Sequence, residues 1–186
     1  MNIKITEPIL KQDYLACIAL IEDNIVKYDT KLEWLESFSV GDIQIAKNRD
    51  QIVGVIIMRR NGKMFDDYEE KYFDLEHIEC PKEKFGYIVY ISVKKSFQGQ
   101  GIGKKLVKTG LKHLKESGCK AVGVHCWQSS PGNASQKIFE SLGFIELKLH
   151  KSPWLEISKK LGPKEFWCVH CGNPCICDEL EMILYL

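Results

Sequence analysis

Gly86-Tyr-Ile-Val-Tyr-Ile-Ser-Val93, followed after two lysines by Ser96-Phe-Gln-Gly-Gln-Gly-Ile-Gly-Lys-Lys105, decides how this sequence folds. The first stretch is a near-continuous run of strand formers, the pattern of a central strand covered on both faces. The second places Gly99, Gly101 and Gly103 immediately before a helical pattern over Ile102 to Glu116. Leu106, Val107, Gly110, Leu111 and Leu114 share one face of that helix, and Gly118 stops it. A glycine turn between strand and helix exposes backbone N–H groups at the helix N-terminus, which makes an anion site. Lys104 and Lys105 add positive charge where the helix dipole is already positive, a placement that a bound anion explains. Two nucleotide motifs fail. G-x-x-x-x-G-K-[ST] is absent, and G-x-G-x-x-G breaks at Lys104 or Leu106. What fits is [QR]-x-x-G-x-G, with Gln98, Gly101 and Gly103.

Upstream, Asn2 to Thr6 alternates as a strand, and Asp13 to Asn24 carries an apolar helical stripe. Leu32 to Phe38 reads as a short helix. Asp42 to Lys47 and Gln51 to Arg59 read as a hairpin turning at Asn48-Arg-Asp50. Downstream, Cys119 to Trp127 is a buried strand and Asn133 to Leu142 a helix ended by Gly143. Phe144 to Leu149 and Leu180 to Leu186 are the last strands. The order is β, α, α, β, β, β, α, β, α, β, an insertion, then β. It predicts an α/β (α+β) fold with a mixed central sheet flanked by helices, in a single domain over 1–186.

Charge and hydropathy narrow the function. Lys plus Arg is 26 against 25 for Asp plus Glu, so the chain lacks the basic excess of a bulk nucleic-acid binder. The longest apolar runs, Val53 to Met58 and Tyr87 to Val93, fall far short of the ~20 residues of a membrane helix. The N-terminus has no apolar core of signal-peptide length. A cytoplasmic protein is the expectation, and there eight cysteines point to metal or reactive thiols.

At Tyr90-Ile91-Ser92-Val93 and Gln98-Gly99-Gln100-Gly101-Ile102-Gly103 the sequence resembles the central strand and pyrophosphate loop of the GNAT acetyltransferase superfamily. Ser135-Gln-Lys-Ile-Phe-Glu-Ser-Leu-Gly-Phe144 is similar to the family's next helix, which typically ends in Leu-Gly-Phe. The resemblance covers about 1–149 and 180–186. It implies an N-acetyltransferase that uses acetyl-coenzyme A, with Gln98, Gly99, Gln100, Gly101, Ile102, Gly103 and Lys104 holding the pyrophosphate. It also implies that Ile91 and Val93 bond the pantetheine arm through their backbones, and that the Ile91 N–H polarises the acetyl carbonyl. That oxyanion-type stabilisation is worth about 3 kcal/mol of barrier. The helix-start asparagine of relatives falls on Gly132 by spacing, and Asn133, one residue later, is the coenzyme contact the resemblance implies. The acceptor is an amine of a small molecule or a peptide, and dimers are common among relatives.

Two departures stand out. Many relatives carry a carboxylate on the strand before the loop, whereas Tyr87 to Val93 has none. Glu79, Glu83, Tyr90, His125 or a chain of waters are the candidates to deprotonate the acceptor. Phe139 stands where relatives commonly have a tyrosine that protonates the leaving thiolate, leaving water, Ser135 or Cys126. His125 and Cys126 end the strand after the glycine-loop helix and are candidate catalytic residues, against an alternative as plain strand positions.

An insertion at about 150–179 holds four of the eight cysteines: Cys168, Cys171, Cys175 and Cys177. Cys-x-x-Cys-Gly is a metal-knuckle pattern, and four thiolates suit tetrahedral zinc or iron. The close spacing of the two pairs leaves disulfides or free thiols open. Phe65 to Glu79 is acidic and aromatic, a helical lid or an irregular loop that would attract a cationic amine or simply be solvated. The alternatives to an enzyme are a coenzyme-binding regulatory module and a metal-sensing module on the same scaffold.

Overall fold

The computed structural model describes residues 2–28, 32–67, 70–128 and 131–186. In chain order the elements are β1 (Ile3–Thr6), α1 (Lys11–Asn24), β2 (Val26–Tyr28), α2 (Leu32–Glu36), β3 (Ile43–Asn48), β4 (Gln51–Arg59) and α3 (Met64–Asp67). After short 3-10 turns come β5 (Phe85–Val93), α4 (Ile102–Glu116), β6 (Ala121–Trp127) and α5 (Ala134–Glu140). The chain closes with β7 (Ile145–His150), α6 (Leu155–Leu161), β8 (Phe166–Cys168) and β9 (Glu179–Tyr185). Seven strands form one mixed sheet in the order β1-β3-β4-β5-β6-β9-β7, and β2 pairs with β8 in a separate ribbon.

Alternation along β4 explains the two covered faces. Ile56 and Met58 point into a core with Leu106, Val107 and Leu114 of α4. Val55 and Ile57 point the other way, against Cys17, Leu20 and Ile21 of α1 and Leu35 of α2. α4 lies so close to β4 that a Cβ at Gly110 would come within 2.6 Å of the Met58 sulfur. At the start of α1 the Asp13 carboxylate accepts from the N–H groups of Ile9 and Leu10 at 3.0 and 3.2 Å, which occupies donors a helix end leaves unpaired.

The sheet parts at its centre. β5 and β6 run parallel and pair from Phe85↔Ala121 only as far as Ile88↔Val124. Opposite, the β4 register slips between Ile57↔Tyr90 and Met58↔Ile88, so Val89 is the extra residue of a bulge. Past that bulge β5 keeps β4 but leaves β6. Lys94 donates its N–H to the Val53 carbonyl at 2.9 Å, next to the pair Gly54↔Val93. In an antiparallel ladder this makes Val55↔Ser92 the hydrogen-bonded pair. The N–H groups of Ile91 and Val93 therefore face away from β4, into the gap.

The predicted elements agree in type and order, with three additions inside or facing the insertion: β2, α6 and β8. The insertion is no loose loop. β8 pairs with β2 from Val26↔Cys168 to Tyr28↔Phe166, and the Val169 N–H reaches the Ile25 carbonyl at 3.1 Å. The segment 65–79 is neither one helix nor a plain loop but a short helix followed by 3-10 turns. Tyr68 and Glu69 lie outside the described residues.

Candidate active site

The parting of β5 from β6 opens a cleft of about 780 Å³, floored by Val89 to Val93 and closed at one end by the glycine loop. Gly99 and Gly101 sit at φ +73° and +76°, which only glycine adopts without strain, and a Cβ at either would meet nothing within 4 Å. The empty space and the amides of the loop fit a phosphate group. Gly103 is glycine for a different reason: a Cβ there would lie 3.1 Å from Ile138.

Gln98, Gly99, Gly101, Ile102, Gly103 and Lys104 line the cleft, as do Ile91 and Val93. Gln98 donates its side-chain amide to the Val93 carbonyl at 2.9 Å, which locks the loop to the strand. The Gln100 side chain instead turns back to the Ser96 carbonyl, and Lys105 is tied to the Ile3 carbonyl of β1. Lys95 and Lys137, which the sequence reading did not single out, supply further charge along the cleft. Asn133 sits at the cap of α5 with φ +50°, and its amide faces Gln128 at 3.5 Å, outside the lining. The first turn of α5 reaches the cleft through Ala134 and Ser135, and Phe139 follows on the same face.

The two strand-end candidates separate. Neighbouring strand residues point to opposite faces, so His125 faces the cleft and Cys126 enters the core. The Cys126 sulfur lies 3.6 Å from that of Met182, and burial, partly offset by the Ser135 hydroxyl, pushes its thiol up to about 12. A thiol held neutral and facing the core is poorly placed to act as a nucleophile in the cleft. Tyr90 lines the cleft, but burial raises its phenol above the ordinary value, so it stays protonated and is no base.

His125 has partners that no motif announced. Its Nδ1 is 2.7 Å from the Tyr87 hydroxyl, and its Nε2 is 3.9 Å from Glu181 of β9. Glu181 also meets His150 Nε2 at 2.8 Å and accepts the Asp74 N–H at 3.0 Å on both oxygens. Burial alone would raise its pKa. The nearby His125 imidazole, the hydrogen bond from His150 and the Asp74 amide outweigh burial and bring it down to about 2. Glu181 is thus an ionised, buried carboxylate two strands from β5 and outside the cleft lining, whereas Glu179, which accepts from Trp154 Nε1 at 2.8 Å, lines the cleft.

The far end of the cleft is aromatic. Tyr72 and Phe73 come from the acidic segment and Trp154 from the insertion, with Tyr72 and Trp154 stacked at 6.2 Å. Phe73, not a carboxylate, packs against the His125 ring at 5.3 Å. Asp74 binds His77 at 2.8 Å. The side chains of Asp66, Asp67, Glu69 and Glu70, part of the expected acidic attraction, lie outside those described. Glu79 and Glu83, candidates for the base, are not in the cleft lining.

Val169 and His170 complete this end. They are the two residues between Cys168 and Cys171, so the cysteine knuckle itself borders the cleft. The four sulfurs of Cys168, Cys171, Cys175 and Cys177 all lie within 4.8 Å of one another. The Cys175 thiol and the N–H groups of Cys171 and His170 point at the Cys168 sulfur, outweigh its burial and hold it down to about 4. The pairing with Cys168, together with burial, pushes Cys175 up. None of the eight cysteines is joined in a disulfide.

Comparison with known proteins gives the same answer as the geometry. The family model described as "Acetyltransferase (GNAT) family" matches residues 9–144. The chain is 24% identical over 116 residues to GCN5-related N-acetyltransferase 4, chloroplastic, of Arabidopsis thaliana, a match over 61% of this chain and 37% of that protein. It is 34% identical over 62 residues to the mycothiol acetyltransferase of Nocardiopsis dassonvillei, over 33% of this chain and 18% of that one. The matches thus span well under half the length of these curated relatives. Among solved structures, the NatC complex bound to Gag peptide and CoA superposes with TM-score 0.70 and 17% identity, over 100% of this chain and 99% of that one. The ribosomal-protein-alanine N-acetyltransferase of Brucella melitensis gives 0.67 and 19%, over 98% and 99%. Arabidopsis thaliana NAA60 in complex with a bisubstrate analogue gives 0.68 and 16%, over 99% and 98%. These structures share the fold. No helix among the described residues is long and apolar enough to cross a membrane. A sheet split beside a glycine loop, on a sequence that the family model matches for most of its length, leaves one assignment: the chain belongs to the GNAT acetyltransferase family.

Proposed function

We propose that the protein transfers an acetyl group from acetyl-coenzyme A to a primary amine of a small molecule or a peptide. The observation that carries this reading is the open edge of β5, whose Ile91 and Val93 amides face a cleft that ends in the glycine loop. Acetyl-coenzyme A bound there would supply the activated thioester. The amides of residues 98–104, with Lys104, hold its pyrophosphate. The edge of β5 extends the pantetheine arm as an added strand would be held. The Ile91 N–H donates to the acetyl carbonyl oxygen as negative charge builds on it, without reorganising at the moment of reaction.

The acceptor arrives as an ammonium and must lose a proton before it can attack. His125, paired with Tyr87 on the cleft wall, takes that proton directly or through water. The ionised Glu181 lies where the positive charge of a protonated imidazole falls. Phe139 has no proton for the leaving sulfur, so the Ser135 hydroxyl or water supplies it. Stacked Tyr72 and Trp154 enclose the acceptor.

Acetyl-coenzyme A incubated with a panel of primary amines and peptide N-termini, read by mass spectrometry, tests the proposal. Acetylation of one class with turnover supports it. Coenzyme A binding with no amine acetylated overturns it in favour of a coenzyme-binding module.

A further inference from the structure

We propose that Cys168, Cys171, Cys175 and Cys177 hold one tetrahedral metal ion of the zinc or ferrous-iron class, and that this ion sets the position of Val169 and His170 in the acceptor wall of the cleft. The first half stands on its own, whereas the second rests on the acyl-transfer reading of the cleft.

The sulfur positions fit such an ion. Cys168 to Cys177 is 3.8 Å, Cys171 to Cys175 is 3.7 Å and Cys171 to Cys177 is 3.3 Å. A regular tetrahedron with metal–sulfur bonds of about 2.3 Å has edges of about 3.8 Å. A disulfide would need about 2.05 Å, which none of these pairs approaches. All four sulfurs converge on one volume, which neither a disulfide pair nor dispersed thiols would require.

The backbone around them is built to carry negative sulfur. Cys168 and Gly172 exchange N–H···O bonds of 3.1 and 2.9 Å, closing a knuckle whose turn needs Gly172 at φ +77°. The Trp167 ring covers Gly172, so a Cβ there would lie 3.2 Å from it. The Ile176 N–H points at the Cys171 sulfur from 3.4 Å. Outside the ligands, the Ser158 hydroxyl accepts the Cys175 N–H at 2.9 Å, and the Asn173 amide donates to the carbonyls of Ser158 and Phe166. These bonds hold the second cysteine pair against the first.

The centre of the local core is built largely from these sulfurs. Its buried members are Val26, Phe166, Cys168, Cys175 and Cys177, so three of the five are proposed ligands. Ile25, Tyr90, Trp127, Trp154 and Leu161 pack around it only partly buried, so the cysteines form most of its fully buried centre, and a ribbon of two three-residue strands is marginal in water by itself. An ion bonded to all four thiolates supplies the missing constraint. The constraint reaches the cleft by a short route. Val169 is bonded to the Ile25 carbonyl, and the His170 ring meets Trp127 edge-on at 5.7 Å.

The test starts with elemental analysis of protein purified without air and with a reductant. One zinc or one iron per chain is expected, and the analysis tells the two apart. Cys171→Ser should lose it. Should that variant fail to fold, chelation of the wild-type protein and titration with cobalt(II) gives the same readout: visible tetrathiolate absorption that saturates at one equivalent. No metal in either experiment, or Cys168–Cys177 found as a disulfide in fresh protein, overturns the site. For the second half, metal removal should raise the amine KM by about tenfold, a loss of about 1.4 kcal/mol, while coenzyme A affinity holds. Faster amide exchange at residues 25–28 and 166–170 should accompany it. An unchanged amine KM and unchanged exchange overturn the link to the cleft while the ion stands. Metal-loaded protein that acetylates no amine overturns the transferase reading instead, and the exchange arm still decides the ion's role in positioning the wall.

Discussion

The Tyr87 hydroxyl lies 2.7 Å from Nδ1 of His125, and the two side chains meet just where their strands begin to part. Tyr87 belongs to the last paired stretch of β5, while His125 is the first residue of β6 beyond it. The pair therefore sits at the apex of the cleft, with Nε2 turned toward an ionised carboxylate. His125→Gln should lower kcat by about 100-fold or more, the range of a lost general base. Tyr87→Phe should cost less. Coenzyme A affinity, measured by calorimetry, should stay within about twofold in both. A kcat for His125→Gln near wild type removes His125 from the proton path.

Gly101→Ala places a methyl group in the space at the glycine loop and forces a non-glycine residue to φ +76°. The left-handed conformation costs about 1–2 kcal/mol. The KM for acetyl-coenzyme A should rise by about tenfold or more, while the amine KM, measured at saturating coenzyme, should not change. Equal effects on both substrates would mean that the loop does not hold the phosphates.

Glu181 makes stability depend on acid. Its folded pKa of about 2 lies below the ordinary 4.5, so its contribution is fully present above about pH 4.5 and is lost as pH falls through about 2. The gap corresponds to about 3 kcal/mol. Urea midpoints from pH 7 to pH 2 should fall more steeply for the wild type than for Glu181→Gln, which should also be less stable at pH 7. Parallel curves would show that the His125–Glu181–His150 cluster does not hold the carboxylate in its charged form.

Phe139→Tyr returns a phenol to the face of α5 that lines the cleft. If the leaving sulfur lacks a good proton donor, kcat should rise several-fold with both KM values unchanged. Ser135→Ala should lower kcat by itself, and should do less harm when combined with Phe139→Tyr. A stability loss without any change in kcat would mean that proton delivery to sulfur is not limiting.

Much of this was legible in the residues. The bounds of α4, Ile102–Glu116, follow from its apolar stripe and its glycines. β5 reads as buried because both faces carry apolar side chains. What escaped shares a physical cause: information held far away in the chain. β2 and β8 have three residues each, too short for alternation to register, and each is a strand only because the other lies opposite. α6 has seven residues and leans on the insertion it belongs to. Glu181, inside Leu-Glu-Met, looks like the solvent side of a strand. Its role depends on two histidines, 31 and 56 positions away. Strand alternation, applied to His125 and Cys126, would have separated them without a structure.

The position of β9 also governs the order in which the protein can be made. β9 is synthesised after both β6 and β7, yet it lies between them, and among the described residues β7 has no other partner in the sheet. A nascent chain that has exposed α4 and the glycine loop still has β6 with a bare edge, β7 unpaired and no Glu181 beside His125. The unpaired edges during that interval are the stretch of its life in which the protein is most exposed to aggregation.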